Sequence, residues 1–297
     1  MVICDLHTDT ASRIGRGVDL LRKTKGPVDL IKLQEGKIRI VVFACWVSPR
    51  YKEPFAKAME MIEDIWQLAE RGHRELVIVK KFSDLNLKKI NGIIGVEGGH
   101  IFERDTKLVD ALYRAGVRIF TLTWDNSNSL ASSALSNDNC GLTKRGRRFI
   151  SRIESLGGII DLSHASTKTV VDCSRIVAKP IIASHSCLRS LNPCLRNISD
   201  RAIRAIVDCD GVIGINVSRR HLGRSSFAEH THYLLNKFSP RTPAFGSDFD
   251  GIRDPIIPDC TKVKDLLLSL NGKGVAKTTI NAMASKNFLR VLRQCVS

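Results

Sequence analysis

The sequence predicts a single (β/α)8 barrel spanning residues 1–297, and three observations lead to it. Short β-branched runs alternate with helical patterns from one end of the chain to the other. Several of those runs are short and nearly all apolar, as parallel strands covered on both faces should be. No linker rich in Gly, Ser or Pro divides the 297 residues, which suit one barrel of roughly typical size. A doubly wound open sheet would show the same alternation, and periodicity alone does not exclude it. The polar residues at the strand ends decide between them.

In chain order, the strands are expected at 2–6, 39–47, 92–96, 118–124, 158–162, 180–183, 212–217 and 242–247. After the second strand, Met59, Ile62, Ile65 and Leu68 recur at helical spacing within a long helix over 53–71. Further helices are expected at 108–115, 147–156 and 169–177, and at 203–208, where Ser199 and Asp200 signal a cap. The seventh strand is followed by a helix over 227–237, and helices over 263–270 and 278–292 close the chain.

Composition narrows the class. Hydrophobic residues make up 43% and charged residues 26%, so the chain is globular rather than disordered or fibrous. Lys and Arg outnumber Asp and Glu by 46 to 30, a net charge of +16 that favours anions as partners. The densest basic run, Lys144-Arg145-Gly146-Arg147-Arg148, has no interleaved aromatic residue of the kind nucleic-acid binders stack on, so a solvated surface is expected and no specific nucleic acid. None of the nine cysteines forms a C-x-x-C pair, and Cys4, Cys45, Cys173 and Cys209 lie in apolar segments, as free thiols in a reducing compartment do. The first residues lack the pattern of a signal peptide, and the longest apolar runs fall far short of a membrane span, so a soluble, cytoplasmic protein is expected.

The chemistry concentrates where a barrel places it, at the C-terminal ends of the strands. The first strand runs into Asp5-Leu6-His7-Thr8-Asp9, and alternation predicts Asp5, His7 and Asp9 on one face. The third ends Glu97-Gly98-Gly99, the fifth Asp161-Leu162-Ser163-His164, the sixth Ser184-His185-Ser186, and the eighth Ser247-Asp248-Phe249-Asp250-Gly251. A lone histidine after a strand is more often a hydrogen-bonded loop residue, and that reading is kept for His73, His100, His221, His230 and His232. It weakens for His7, His164 and His185, which recur with carboxylates at the same end of different strands. Imidazole and carboxylate are the usual ligands of zinc and similar ions, and two histidines per metal with a shared carboxylate is the pattern of a two-metal hydrolase. No G-x-S-x-G, P-loop or G-x-G-x-x-G motif is present. The Gly272-Lys273-Gly274 stretch, which looks faintly like a phosphate loop, follows a helix with the wrong spacing and reads as a surface connection.

Read together, these residues resemble the membrane (renal) dipeptidase family of zinc metallopeptidases in its shorter microbial form. The likeness continues through Leu122-Thr123-Trp124, Gly141-Leu142-Thr143, Arg196-Asn197, Gly214-Ile215-Asn216 and Asn287-Phe288-Leu289-Arg290-Val291. The resemblance implies a barrel of the metal-dependent amidohydrolase type holding two Zn2+ per chain. It implies that His7, Asp9 and Glu97 hold one metal and His164 and His185 the other, with Glu97 bridging. A hydroxide between the metals would attack the carbonyl of a dipeptide, with Asp248 as general acid/base. Arg196 matches the group that pairs with the substrate's C-terminal carboxylate. Trp124 stands where the animal enzymes carry a substrate-binding histidine, and Ser285-Lys286 where the family tends to have glycines. The resemblance also allows a homodimer, although no motif defines its interface. Two other readings stay open: another binuclear-metal amidohydrolase acting on a small N-acyl or cyclic amide, and a catalytically silent basic binding protein.

Overall fold

A computed structural model describes residues 1–136 and 140–296. Nine strands form one parallel sheet: β1 (Ile3–Thr8), β2 (Ile38–Trp46), β3 (Leu76–Ile78), β4 (Ile90–Glu97), β5 (Val117–Thr121), β6 (Ile159–Asp161), β7 (Ile182–Ala183), β8 (Val212–Ile215) and β9 (Pro243–Phe245). Eight follow one another in the order β1-β2-β4-β5-β6-β7-β8-β9, and β3 pairs with the start of β4, ahead of the stretch that pairs with β5. All eight expected strands are present. β3 was not anticipated, because three residues are too few to show a period.

The barrel closes by an unusual seam. β1 and β9 share no ladder; Thr8 and Phe249 form a parallel bridge beyond the end of β9. The Asp248 amide donates to the His7 carbonyl at 3.0 Å and the Asp9 amide to the Phe249 carbonyl at 2.8 Å. Lower down, the Asp5 carboxylate accepts the Ser247 amide at 2.8 Å, standing in for a backbone acceptor.

Side chains inside the barrel and outside it form two separate apolar clusters. The inner one, including Leu6, Val42, Ile93, Ile119, Ile182 and Val212, is completed by Phe288, Val291 and Leu292 from the last helix. That helix begins at Lys277, passes through a π turn over Ala282–Lys286, and ends at Cys295. The π turn includes the Ser285-Lys286 pair that departs from the family pattern. The helix thus plugs the end of the barrel remote from the polar strand ends, and water is kept from the site from below.

Caps explain where the outer helices begin. Thr143, Ser166, Ser199 and Ser226 each accept a backbone N–H of the first turn. The Ser199 cap lengthens the expected 203–208 helix to Asp200–Asp208. All nine cysteines are free; Cys4, Cys45 and Cys173 are buried, and burial pushes their thiols well above the usual range. Gly272 and Gly274 lie open on the surface, as expected of a connection. Among the described residues, no helix is long and apolar enough to cross a membrane.

Phe288 is fully buried at the centre of the plug. Phe288→Ala is expected to cost about 3–5 kcal/mol, measured as a lower urea midpoint without a change of slope.

Candidate metal centre

The polar strand ends converge because the chain departs from regular strand geometry at each of them. In β1 the pairing register slips between Asp5 and Thr8. This breaks the alternation that would have put Asp5, His7 and Asp9 on one face: His7 and Asp9 join the cluster, and Asp5 braces the seam instead. His164 and Asp248 adopt left-handed backbone, with φ of 66° and 64°. Non-glycine residues seldom do so, and such strain persists where surrounding structure dictates it. The turn swings each side chain back over the barrel mouth. It also explains why β6 and β9 stop short of the expected ends at 162 and 247.

Three sets of side chains bring their ligand atoms within 4.8 Å of one another: His7, Asp9 and Glu97; Glu97, His164 and His185; and His7, His185 and Asp248. Glu97 is common to the first two. Its Oε2 lies 3.5 Å from His7 Nε2, and its Oε1 lies 2.9 Å from His164 Nε2 and 3.4 Å from His185 Nε2. Asp9 Oδ2 is 3.7 Å from His7 Nε2. The two facing ring nitrogens of His164 and His185 are 3.1 Å apart.

The electrostatics fit a cation. Glu97, Asp9 and Asp248 are buried together, and no Lys or Arg pairs with any of them among the described residues. Burial raises Asp248 to about 7; His7 opposes this, and Asp9 and Glu97 add to it. Burial and Glu97 likewise raise Asp9. Burial disfavours a charged His7, but Glu97 and Asp9 outweigh it and hold the ring well above its ordinary value. Burial and the His7 charge drive His185 well below it. His7 Nε2 and Asp9 Oδ1 are buried without any hydrogen-bond partner. Orphaned polar atoms of this kind are costly in a closed interior, and both are donors to metal. The residues present therefore fit bound divalent metal.

Around this core stand residues of three kinds. Arg196 is buried, donating to the His185 carbonyl at 3.1 Å and to Ser186 Oγ at 3.3 Å, with no carboxylate in reach among the described residues. Trp124 packs against His164, with ring centroids 6.3 Å apart, and against Trp46 at 5.1 Å. Asp125 accepts from His164 Nδ1 at 2.8 Å. Burial works against a charged Asp125, but the His164 contact holds it below the usual carboxylate range.

Sequence reasoning missed Trp46 and Asp125. Trp46 reads as the last residue of an apolar strand, and Asp125 meets His164 across 39 residues. The only available signal was the general habit of metal-binding histidines of handing their second N–H to a carboxylate. Of the histidines read as structural, His230 accepts the Leu188 amide and donates to the Leu222 carbonyl, and His100 donates to the Val47 carbonyl. His221 lies nearer the site, held neutral to about pH 3 by burial and by the Arg196 charge.

Fold and site together define a barrel of the metal-dependent amidohydrolase type. The family profile of the membrane dipeptidases (Peptidase family M19) matches residues 1–297, and the chain belongs to that family. It is 28% identical to mouse dipeptidase 3 over 294 residues, covering 93% of this chain and 59% of the mouse protein. With dipeptidase tcpJ of Claviceps purpurea it shares 25% identity over 297 residues, 91% of this chain and 69% of the other. The fold superposes with a TM-score of 0.89 on a metallopeptidase from Rhodobacter sphaeroides bound to a phosphinate mimic of the dipeptide L-Ala-D-Ala, at 22% identity over 99% of each chain.

The brace at the seam gives a pH-dependent prediction. Burial raises Asp5 to about 6, although the hydroxyl and amide of Ser247 and the amide of His7 oppose it. A carboxyl with a raised folded pKa stabilises the protein below the unfolded value near 4, and that contribution is lost as pH rises through about 6. Asn at position 5 keeps the acceptor and never ionises. Metal-free Asp5→Asn should therefore gain stability over wild type between pH 4 and 7, on the order of 2–3 kcal/mol. Urea unfolding at pH 4 and pH 7.5 measures it; an equal difference at both would refute the assignment.

Proposed function

We propose that this protein is a zinc-dependent dipeptidase, with His7, Asp9 and Glu97 holding one ion, His164 and His185 the other, and Glu97 shared. The observation that carries the reading is Arg196: a buried guanidinium without a counter-ion among the described residues, tethered to the backbone of a ligand residue. A guanidinium offers parallel donors matched to a carboxylate, and the carboxylate it lacks is the C-terminus of a short peptide. Membership of the membrane dipeptidase family over the whole chain supports the same substrate class. When bound, the two ions supply a hydroxide at neutral pH and polarise the scissile carbonyl.

The chain's own residues do the remainder. Arg196 anchors one end of the substrate, which places the peptide bond beside the carboxylate cluster and makes the reaction effectively unimolecular. Asp248, near neutrality in its affinity for a proton, accepts one from the attacking water at its carboxylate and passes it to the departing amine. Trp124 and Trp46 form an aromatic wall against His164; they take up substrate side chain and exclude water. A single anchoring contact limits the site to short substrates.

A panel of L,L- and L,D-dipeptides tests the proposal, using protein as isolated, after chelation and after zinc is restored. Hydrolysis should vanish with chelator and return at about two zinc per chain. Two bound zinc ions without dipeptide cleavage would move the function to another amide. Arg196→Ala should raise KM for dipeptides roughly 10- to 100-fold, and an unchanged KM would end its assigned role. Asp248→Asn should lower kcat about 10²- to 10⁴-fold with zinc retained.

A further inference from the structure

Resting on the two-metal reading, we infer that Ser184 is a positioning residue: oriented by Asp161, its hydroxyl sets the tautomers of His7 and His185 and turns both Nε2 lone pairs toward the metal cluster. Neither Ser184 nor Asp161 belongs to the ligand sets above.

The inference follows from counting donors and acceptors. Asp161 is fully buried and accepts four hydrogen bonds, from Thr121 Oγ1 at 2.8 Å, Ser184 Oγ at 2.6 Å, the Ser163 amide at 3.0 Å and the Ser184 amide at 2.9 Å. A carboxylate only accepts, so the Ser184 hydroxyl spends its one proton on Asp161. What remains on Ser184 Oγ is acceptor capacity. It faces His185 Nδ1 at 2.8 Å and His7 Nδ1 at 3.4 Å, with Ser163 Oγ at 3.2 Å as a third neighbour. Among the described residues, neither Nδ1 has another partner. A proton on Nδ1 of each ring meets that acceptor, and the neutral ring that binds a metal then has Nε2 bare. His7 Nε2 and His185 Nε2 are the atoms that face Glu97.

The backbone around Ser184 is held as tightly as its side chain. A Cβ on Gly214 or on Gly246 would come within 1.9 Å of the Ser184 carbonyl oxygen, so β8 and the chain after β9 close directly upon that peptide. The two rings stack with centroids 3.7 Å apart, which brings both Nδ1 edges to one oxygen. His164 is independent of this hub, since its Nδ1 goes to Asp125. One hydroxyl thus prepares a ligand for each ion, whereas Asp125 prepares a ligand for one.

Two variants test this. Ser184→Ala deletes the acceptor. Asp161→Asn keeps volume and shape but reverses polarity: its amide group donates to Ser184, whose one proton then points at His185 Nδ1, the nearer of the two, and drives that ring to the Nε2–H form. Zinc titration of metal-free protein against a competing chelator should show both binding steps weakened about 10- to 100-fold in Ser184→Ala, and the step that uses His185 weakened likewise in Asp161→Asn. Asp125→Ala should weaken one step alone. Nitrogen-15 NMR of His185 in metal-free protein should show an Nδ1–H ring in wild type and an Nε2–H ring in Asp161→Asn, a change that general destabilisation does not produce. Asp161→Asn carries the test should Ser184→Ala fail to fold. Wild-type zinc affinity in the variants, weakening of one step only in Ser184→Ala, or an unchanged His185 spectrum in Asp161→Asn would overturn the inference and leave the metal reading standing. Wild type that binds no zinc would overturn both.

Discussion

Glu97 carries a negative charge in the mouth of the barrel, nearly sealed from water, with an imidazole of His7, His164 or His185 within about 3.5 Å of one or other oxygen. Burying such a charge is expensive unless a cation compensates it. His7 is held toward the charged form, and Asp9 and Asp248 add to the negative side. The cluster is therefore built for positive charge from outside the chain. Many features of the fold make sense as means of holding these groups against their own repulsion.

The barrel divides the work along its axis. Toward the C-terminal helix the interior is aliphatic and dry; toward the strand ends it is almost wholly polar. The apolar plug provides the stability that the polar end consumes. It also lowers the local dielectric, which strengthens the interactions among the charged groups above it. Left-handed backbone at His164 and Asp248 and the register slip in β1 are the local costs of turning these side chains inward from strands whose regular geometry would point some of them elsewhere. The seam between β1 and β9 belongs to the same arrangement, since the segments that close the barrel also carry His7, Asp9 and Asp248.

Outside the cluster, charge is arranged for an anion. Arg196 is a buried guanidinium held against the His185 carbonyl, and its field reaches Asp125, His185, His221 and Asp248. The net charge of +16 acts in the same direction at longer range. Under the proposed function, this arrangement would serve a small substrate with a free carboxylate.

The alternation of strands and helices was legible because buried parallel strands must be apolar and outer helices must be amphipathic, and these patterns are written residue by residue. The polar residues at the strand ends were legible for a related reason: a barrel sends every strand end to one place, so His7, Glu97, His164, His185 and Asp248 could be gathered without coordinates. Strand ends, β3, and the fate of Asp5 were not, because a bulge or a left-handed turn is set by tertiary packing. The pairing of Asp125 with His164, and the sharing of one Ser184 hydroxyl by two histidines from β1 and the end of β7, were decided by the folded structure alone. Hydrogen bonds depend on tenths of an ångström between groups far apart in sequence, and no local pattern encodes that distance.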